Sequence, residues 1–162
     1  MMEYKIYQTD DEIIVYFNDE VFLNIKSKIR GRFYPVYSFY KNDVLILISS
    51  VIPTPFRIFT GIRFQNLGVQ ISWKRKWFKK YLFINGDYYR CNWHPFSTNC
   101  STITRNDEKI AELYYTRKWF SRLLKSLTTP ENYRLEVYKE DNSISFFSLI
   151  CLLIEFPVMN RS

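Results

Sequence analysis

The sequence predicts a mainly β chain, a closed antiparallel barrel of about twelve strands enclosing a hydrophobic C-terminal α-helix. Three observations carry that prediction. Polar turn clusters recur from Thr9 to Glu108 with short apolar runs between them. The 162 residues include 14 Phe, 13 Tyr, 17 Ile and a single alanine, Ala111, which suits a pleated, half-buried surface better than a helix. The third observation is a long apolar run near the C-terminus, ISFFSLICLLIEF at 144–156. An AT-rich coding sequence would produce the same bias toward Ile, Lys, Asn, Tyr and Phe, so the patterning carries more weight than the composition.

Taken in order, the expected strands are 3–7, 12–17, 20–26, 33–39, 43–50, 56–60, 62–65, 68–75, 80–84, 88–93, 101–105, 109–116 and 132–139. The turns between them are read from Thr9-Asp10-Asp11, Asn18-Asp19-Glu20, Lys41-Asn42-Asp43, Asn66-Leu67-Gly68, Asn85-Gly86-Asp87 and Asn106-Asp107-Glu108. Asn85-Gly86 is the strongest hairpin signal, because both residues tolerate positive φ. So many strands exceed a small open sheet, and closure removes sheet edges. No linker-like stretch divides the chain, so residues 1–162 are expected to form one domain. Pro53 and Pro55 mark a turn between sheet segments. Arg75-Lys76-Trp77-Phe78 recurs as Arg117-Lys118-Trp119-Phe120, which reads as two similar hairpin ends.

The apolar run breaks strand alternation, so it reads as a helix over about 143–156. Asn142 or Ser143 can cap its start and Pro157 can stop it. Ser145 and Ser148 are expected to bond to carbonyls one turn back. A helix apolar on nearly all sides must be surrounded by protein or lipid. Thirteen residues rise about 20 Å, short of the roughly 30 Å hydrocarbon layer, so enclosure by sheet is the favoured reading and no transmembrane span is expected.

Many short antiparallel strands followed by one wholly apolar helix resemble the tubby C-terminal-like superfamily, which includes tubby proteins, LURP-one-related proteins and phospholipid scramblases. The likeness is clearest over 80–156. YLFINGDYYRC looks like one hairpin, CSTITRNDEKIAELYY like the next, and ENYRLEVYKEDNSISFFSLICLLIEF like the last strand, an acidic turn and the central helix. The resemblance implies a twelve-stranded barrel threaded by its C-terminal helix, without enzymatic activity, whose relatives often act at membranes or as regulators. No phosphoinositide-binding residues and no calcium-binding segment carry over onto this chain.

The net charge of +7 is concentrated. Residues 57–90 hold Arg57, Arg63, Lys74, Arg75, Lys76, Lys79, Lys80 and Arg90 against Asp87 alone, while the remainder of the chain is neutral. Such a concentration attracts phosphate-bearing partners or is a solvated face. Its sharpest part is Trp73-Lys74-Arg75-Lys76-Trp77-Phe78-Lys79-Lys80. That mixture either docks on an anionic surface or uses its rings to close one barrel end while its cations are solvated. A second segment, RKWFSRLLKSL from Arg117 through Lys118 and Arg122 to Leu127, has a basic amphipathic pattern that can cap the barrel or lie on a membrane.

Catalytic signatures are missing from the sequence: there is no GxSxG elbow, P-loop, HExxH or GxGxxG. The single histidine, His94, cannot supply a multi-histidine metal site. No cofactor is expected. Three cysteines without a CxxC pair, and no secretory leader pattern, point to a reduced cytoplasmic protein, peripheral to the membrane if it binds there. The expected partner is an anionic phospholipid headgroup. A protein-binding scaffold and single-stranded nucleic-acid binding are the alternatives.

Overall fold

The computed structural model describes residues 1–9, 11–30, 34–54, 57–76, 79–94, 99–115 and 131–159. Twelve strands precede one helix. They are β1 (Met2–Gln8), β2 (Glu12–Phe17), β3 (Glu20–Arg30), β4 (Tyr34–Lys41), β5 (Val44–Thr54), β6 (Arg57–Gln65), β7 (Ile71–Lys76), β8 (Lys79–Ile84), β9 (Asp87–Trp93), β10 (Asn99–Arg105), β11 (Glu108–Tyr115), β12 (Glu131–Val137) and α1 (Asn142–Met159). All twelve belong to one sheet in the order β6-β5-β4-β3-β2-β1-β12-β11-β10-β9-β8-β7, with every neighbour antiparallel. The sheet wraps into a nearly closed barrel. Its two edges, β6 and β7, are consecutive in the chain, yet no ladder joins them among the described residues.

Local chemistry explains the meander. Asn18-Asp19, Asn42-Asp43, Asn85-Gly86 and Asn106-Asp107 each place both turn residues at positive φ, from 49° to 90°. Two such residues make the type I′ turn, whose twist matches the flanking strands. Asn and Asp reach this region because a short polar side chain bonds locally. The expected strands 56–60 and 62–65 are one element, because the β5–β6 ladder continues through Ser50↔Gly61 with only a bulge between Ile48 and Ser49. The strand expected over 68–75 begins at Ile71, since Gly68 turns at φ +66°.

Alternate residues face inward. Tyr4 and Ile6, Ile13 and Val15, Leu23 and Ile25, Tyr37 and Phe39, Leu82 and Ile84, and Leu113 with Leu135 are all buried. The helix completes this core. Leu149 to Ile154 are each at most 1% exposed. Six successive residues exceed the 3.6 of one turn, so every side of the helix is covered. Contacts come from opposite walls. The Ser145 hydroxyl donates to Met2 Sδ of β1 at 3.2 Å. Phe146 meets Phe22 of β3 with ring centres 6.3 Å apart, and Phe147 meets Tyr89 of β9 at 6.1 Å. Lys41 Nζ lies 4.8 Å from the Phe22 ring centre and 4.7 Å from that of Phe146, a cation held between two ring faces.

Three helix expectations are corrected. The cap is Asp141, whose Oδ1 accepts from the backbone N–H groups of Ser143 at 2.8 Å and Ile144 at 3.3 Å and from the Ser143 hydroxyl at 2.6 Å. These bonds hold its carboxyl below the usual carboxylate range. Pro157 does not end the helix, which runs to Met159. Within the last turn its missing N–H removes one bond, to the carbonyl four residues back, without stopping the chain. Ser145 reaches across to β1 instead of back along the helix, and the buried Ser148 hydroxyl has no hydrogen-bond partner among the described residues. Ser145 faces β1, and Phe147, which shares a helix face with Cys151 one turn on, meets Tyr89 of β9, so Ser148, between those faces, is turned to the intervening strands. There the helix approaches β9, β10 and β11 most closely.

Tyr89 gives this core an alkaline limit. It is 2% exposed, and burial pushes its phenol from 10.0 up to about 12. A raised folded value means that the stability it contributes is complete below pH 10 and is lost as pH rises through 12. A shift of this size corresponds to ~2–3 kcal/mol. Denaturant unfolding at pH 9 and pH 11.5 should therefore show a smaller loss in Tyr89→Phe than in the parent, by about 2 kcal/mol, the part already lost half a unit below the folded value. Equal losses in the two proteins would refute the assignment.

Candidate functional site

An up-and-down meander sends successive connections to opposite ends. The connections β2–β3, β4–β5, β6–β7, β8–β9 and β10–β11, together with the link from β12 to α1, open on one end. The strand ends of the pairs β1 and β2, β3 and β4, β5 and β6, β7 and β8, β9 and β10, and β11 and β12 that follow one another in the chain lie at the other end. The two ends differ chemically. The helix-entry end carries Asp19, Glu20, Asp43, Asp87, Asp107, Glu108, Glu140 and Asp141 against Lys41, Arg105, Lys109, Lys139 and the terminal amine, so its balance is acidic. Several of these acids are locally bonded. Lys5 Nζ meets Asp19 at 2.8 Å, Lys139 Nζ meets Glu108 at 2.7 Å, and the terminal amine of Met1 meets Glu140 at 3.1 Å. Asp87 accepts from Arg105 and from Asn106 Nδ2, which hold its carboxyl below the usual range.

The far end is basic over the arc from β3 to β8. Lys26, Lys28 and Arg30 lie toward the end of β3, Arg57 begins β6, Lys74, Arg75 and Lys76 end β7, and Lys79 and Lys80 begin β8. Among the described residues, the acids at this end, Asp11, Glu12 and Glu131, belong to the β12–β1–β2 arc. Lys26, Lys28 and Lys74 are exposed. Lys74 Nζ lies 4.8 Å from the Phe83 ring centre, and Lys26 Nζ lies 5.7 Å from that of Tyr40. Each ammonium lies over an aromatic face, a cation–π contact at the surface.

Within the predicted site, the β7–β8 register sets Trp73 opposite Leu82, Lys74 opposite Tyr81, Arg75 opposite Lys80 and Lys76 opposite Lys79. Like charges directly opposite one another destabilise a strand pair. Trp73 does not stand free: it is half-buried against the barrel core, and its buried indole N–H has no acceptor among the described residues. Trp77, Arg117, Lys118 and Arg122 lie outside the described residues. The strand ends that flank them, Lys76 and Lys79 for the first and Tyr115 and Glu131 for the others, open on the same end of the barrel. Reading the sequence by segment missed Lys26, Lys28 and Arg30. Nothing local marks them, because their membership follows from strand order alone.

No protein-family model, curated protein or solved structure matches this chain. Among the described residues, no His/Cys/Asp/Glu group could hold a metal ion. His94 is exposed, with Nε2 3.1 Å from Thr102 Oγ1. No helix among the described residues is long and apolar enough to cross a membrane.

Proposed function

We propose that this protein is a non-enzymatic, tubby-like barrel, a regulator or adaptor that docks end-on upon anionic phospholipid surfaces from the cytoplasmic side. The observation that carries this reading is the polarity of the two ends. One arc of strand ends is cationic and the opposite end is acidic, so an anionic surface attracts the first and repels the second. The tubby-like assignment is supported by twelve antiparallel strands around a buried C-terminal helix.

Each cation near an anionic leaflet contributes ~1 kcal/mol, screened by salt. Liposome flotation tests the proposal. Recovery is expected with phosphatidylserine-containing vesicles at low salt and is expected to fall as salt rises. Replacing Lys74, Lys76 and Lys79 together by Gln should weaken binding roughly 100-fold at low salt, from three such contributions. Equal recovery with neutral and anionic vesicles would overturn the proposal.

A further inference from the structure

The seam between β6 and β7 is the one place where the barrel leaves backbone groups unpaired between consecutive strands, among the described residues. The five residues joining them are few enough for a paired hairpin. Instead the connection is divided between its two neighbours. The Asn66 N–H donates to Ile46 O of β5 at 2.8 Å, while Asn85, beyond β8, takes both backbone groups of Gln70. The Gln65 side chain spans the interval, donating to Val69 O at 2.9 Å and accepting from the Leu67 N–H at 3.2 Å.

The two edges are not equivalent. β6 carries its bulge at Arg63, which interrupts regular pairing along that side. β7 pairs with β8 without a register shift. The Asn85 N–H bonds to Gln70 O at 3.0 Å, so bonded pairs alternate from there through Ser72, Lys74 and Lys76. The backbone N–H and C=O groups of Ile71, Trp73 and Arg75 therefore point to the open edge. The buried indole N–H of Trp73, unpartnered among the described residues, is on the same strand.

The charge of the seam selects its occupant. β6 and β7 together contain Arg57, Arg63, Lys74, Arg75 and Lys76 and no acid. A second copy would set these cations against their own kind, so self-pairing is opposed. An extended segment rich in Glu or Asp meets both demands, bringing carbonyls to the edge N–H groups and carboxylates to the cations. We propose that the open edge of β7 is a docking site for an acidic, extended peptide segment of a protein partner, which adds to the barrel as a further strand. This is a side-on protein contact made through the backbone of β7; it shares the cations Lys74 to Lys76 with the end-on lipid reading but does not rest on it.

The test uses the full chain and a blocked ten-residue peptide alternating Glu with Val. Amide hydrogen exchange is read residue by residue with and without millimolar peptide. At least tenfold slower exchange is expected at Ile71, Trp73 and Arg75, with little change at Ser72 and Lys74. A peptide with Lys in place of Glu should bind at least tenfold more weakly. An acidic peptide N-methylated on the pairing side should leave the three amides unprotected. No protection with the acidic peptide, protection by the N-methylated peptide, or equal protection by a single-stranded RNA of the same charge would each overturn the proposal. Flotation is run without peptide and reads the vesicle contact alone, so the two readings can fail separately.

Discussion

Replacing Leu149 by Ala is expected to cost about 2–5 kcal/mol, the range for removing a buried Leu where the surroundings cannot collapse. Leu149 is fully buried in the first of the helix turns covered on every side. A sheet held in register by hydrogen bonds on both sides of each interior strand cannot move inward to fill a void. The lost methyl groups therefore leave a cavity instead of a new contact. Total stabilities of ~5–15 kcal/mol make this a large fraction of the whole. The measurement is the denaturant midpoint at unchanged slope, since the surface exposed on unfolding stays the same. Val21→Ala, at an exposed position of β3, serves as the control and should change stability by less than about 0.5 kcal/mol. A midpoint for Leu149→Ala equal to that of the control would show that the helix does not fill the barrel.

The second large effect is expected from adding volume. Ala111→Leu should destabilise by at least ~1–3 kcal/mol. Ala111 is the chain's single alanine, is fully buried on β11, and pairs with Ile103 and Val137, themselves fully buried. The helix comes close to this strand and turns its small residues, Ser145, Ser148 and Cys151, toward the arc from β1 to β9. Small side chains on both surfaces permit that approach. A Leu at 111 must displace either the helix or the strand, and each displacement disturbs contacts around the full circumference. Ser148→Gly placed in the Ala111→Leu background should recover part of the loss, and the coupling measured by a double-mutant cycle should exceed 0.5 kcal/mol. Strictly additive effects would show that the two positions do not meet.

The strand count illustrates what a local pattern can and cannot resolve. Gly61 reads as a break between two short apolar runs, yet the β5–β6 ladder passes through it, because a glycine tolerates strand geometry when its neighbours are paired. The cap shows the same difference. Asn142 and Ser143 have the right chemistry, but Asp141 takes the position because the chain leaves β12 with its carboxylate placed to receive both amides. Pro157 was a credible stop from its missing N–H alone. A helix wrapped by sheet draws its stability from burial, so the loss of a bond in its final turn is tolerated.

The basic site was half legible. The run from Trp73 to Lys80 stands out as charge and aromatics in eight consecutive residues, whereas Lys26, Lys28 and Arg30 are ordinary outward positions of an ordinary strand. By itself the sequence determined the strand rhythm, the Asn-led turns and the apolar tail. Each of these is written in neighbouring residues, through the period of two, the positive φ of Asn and Asp, and a hydrophobic run long enough for several helical turns. Only the tertiary structure decided that β6 and β7 face one another unpaired, and that one arc of strand ends is cationic while the opposite end is acidic. Those features depend on ladders between residues far apart in the chain, and the register of one strand pair is passed to the next until the sheet has turned nearly full circle.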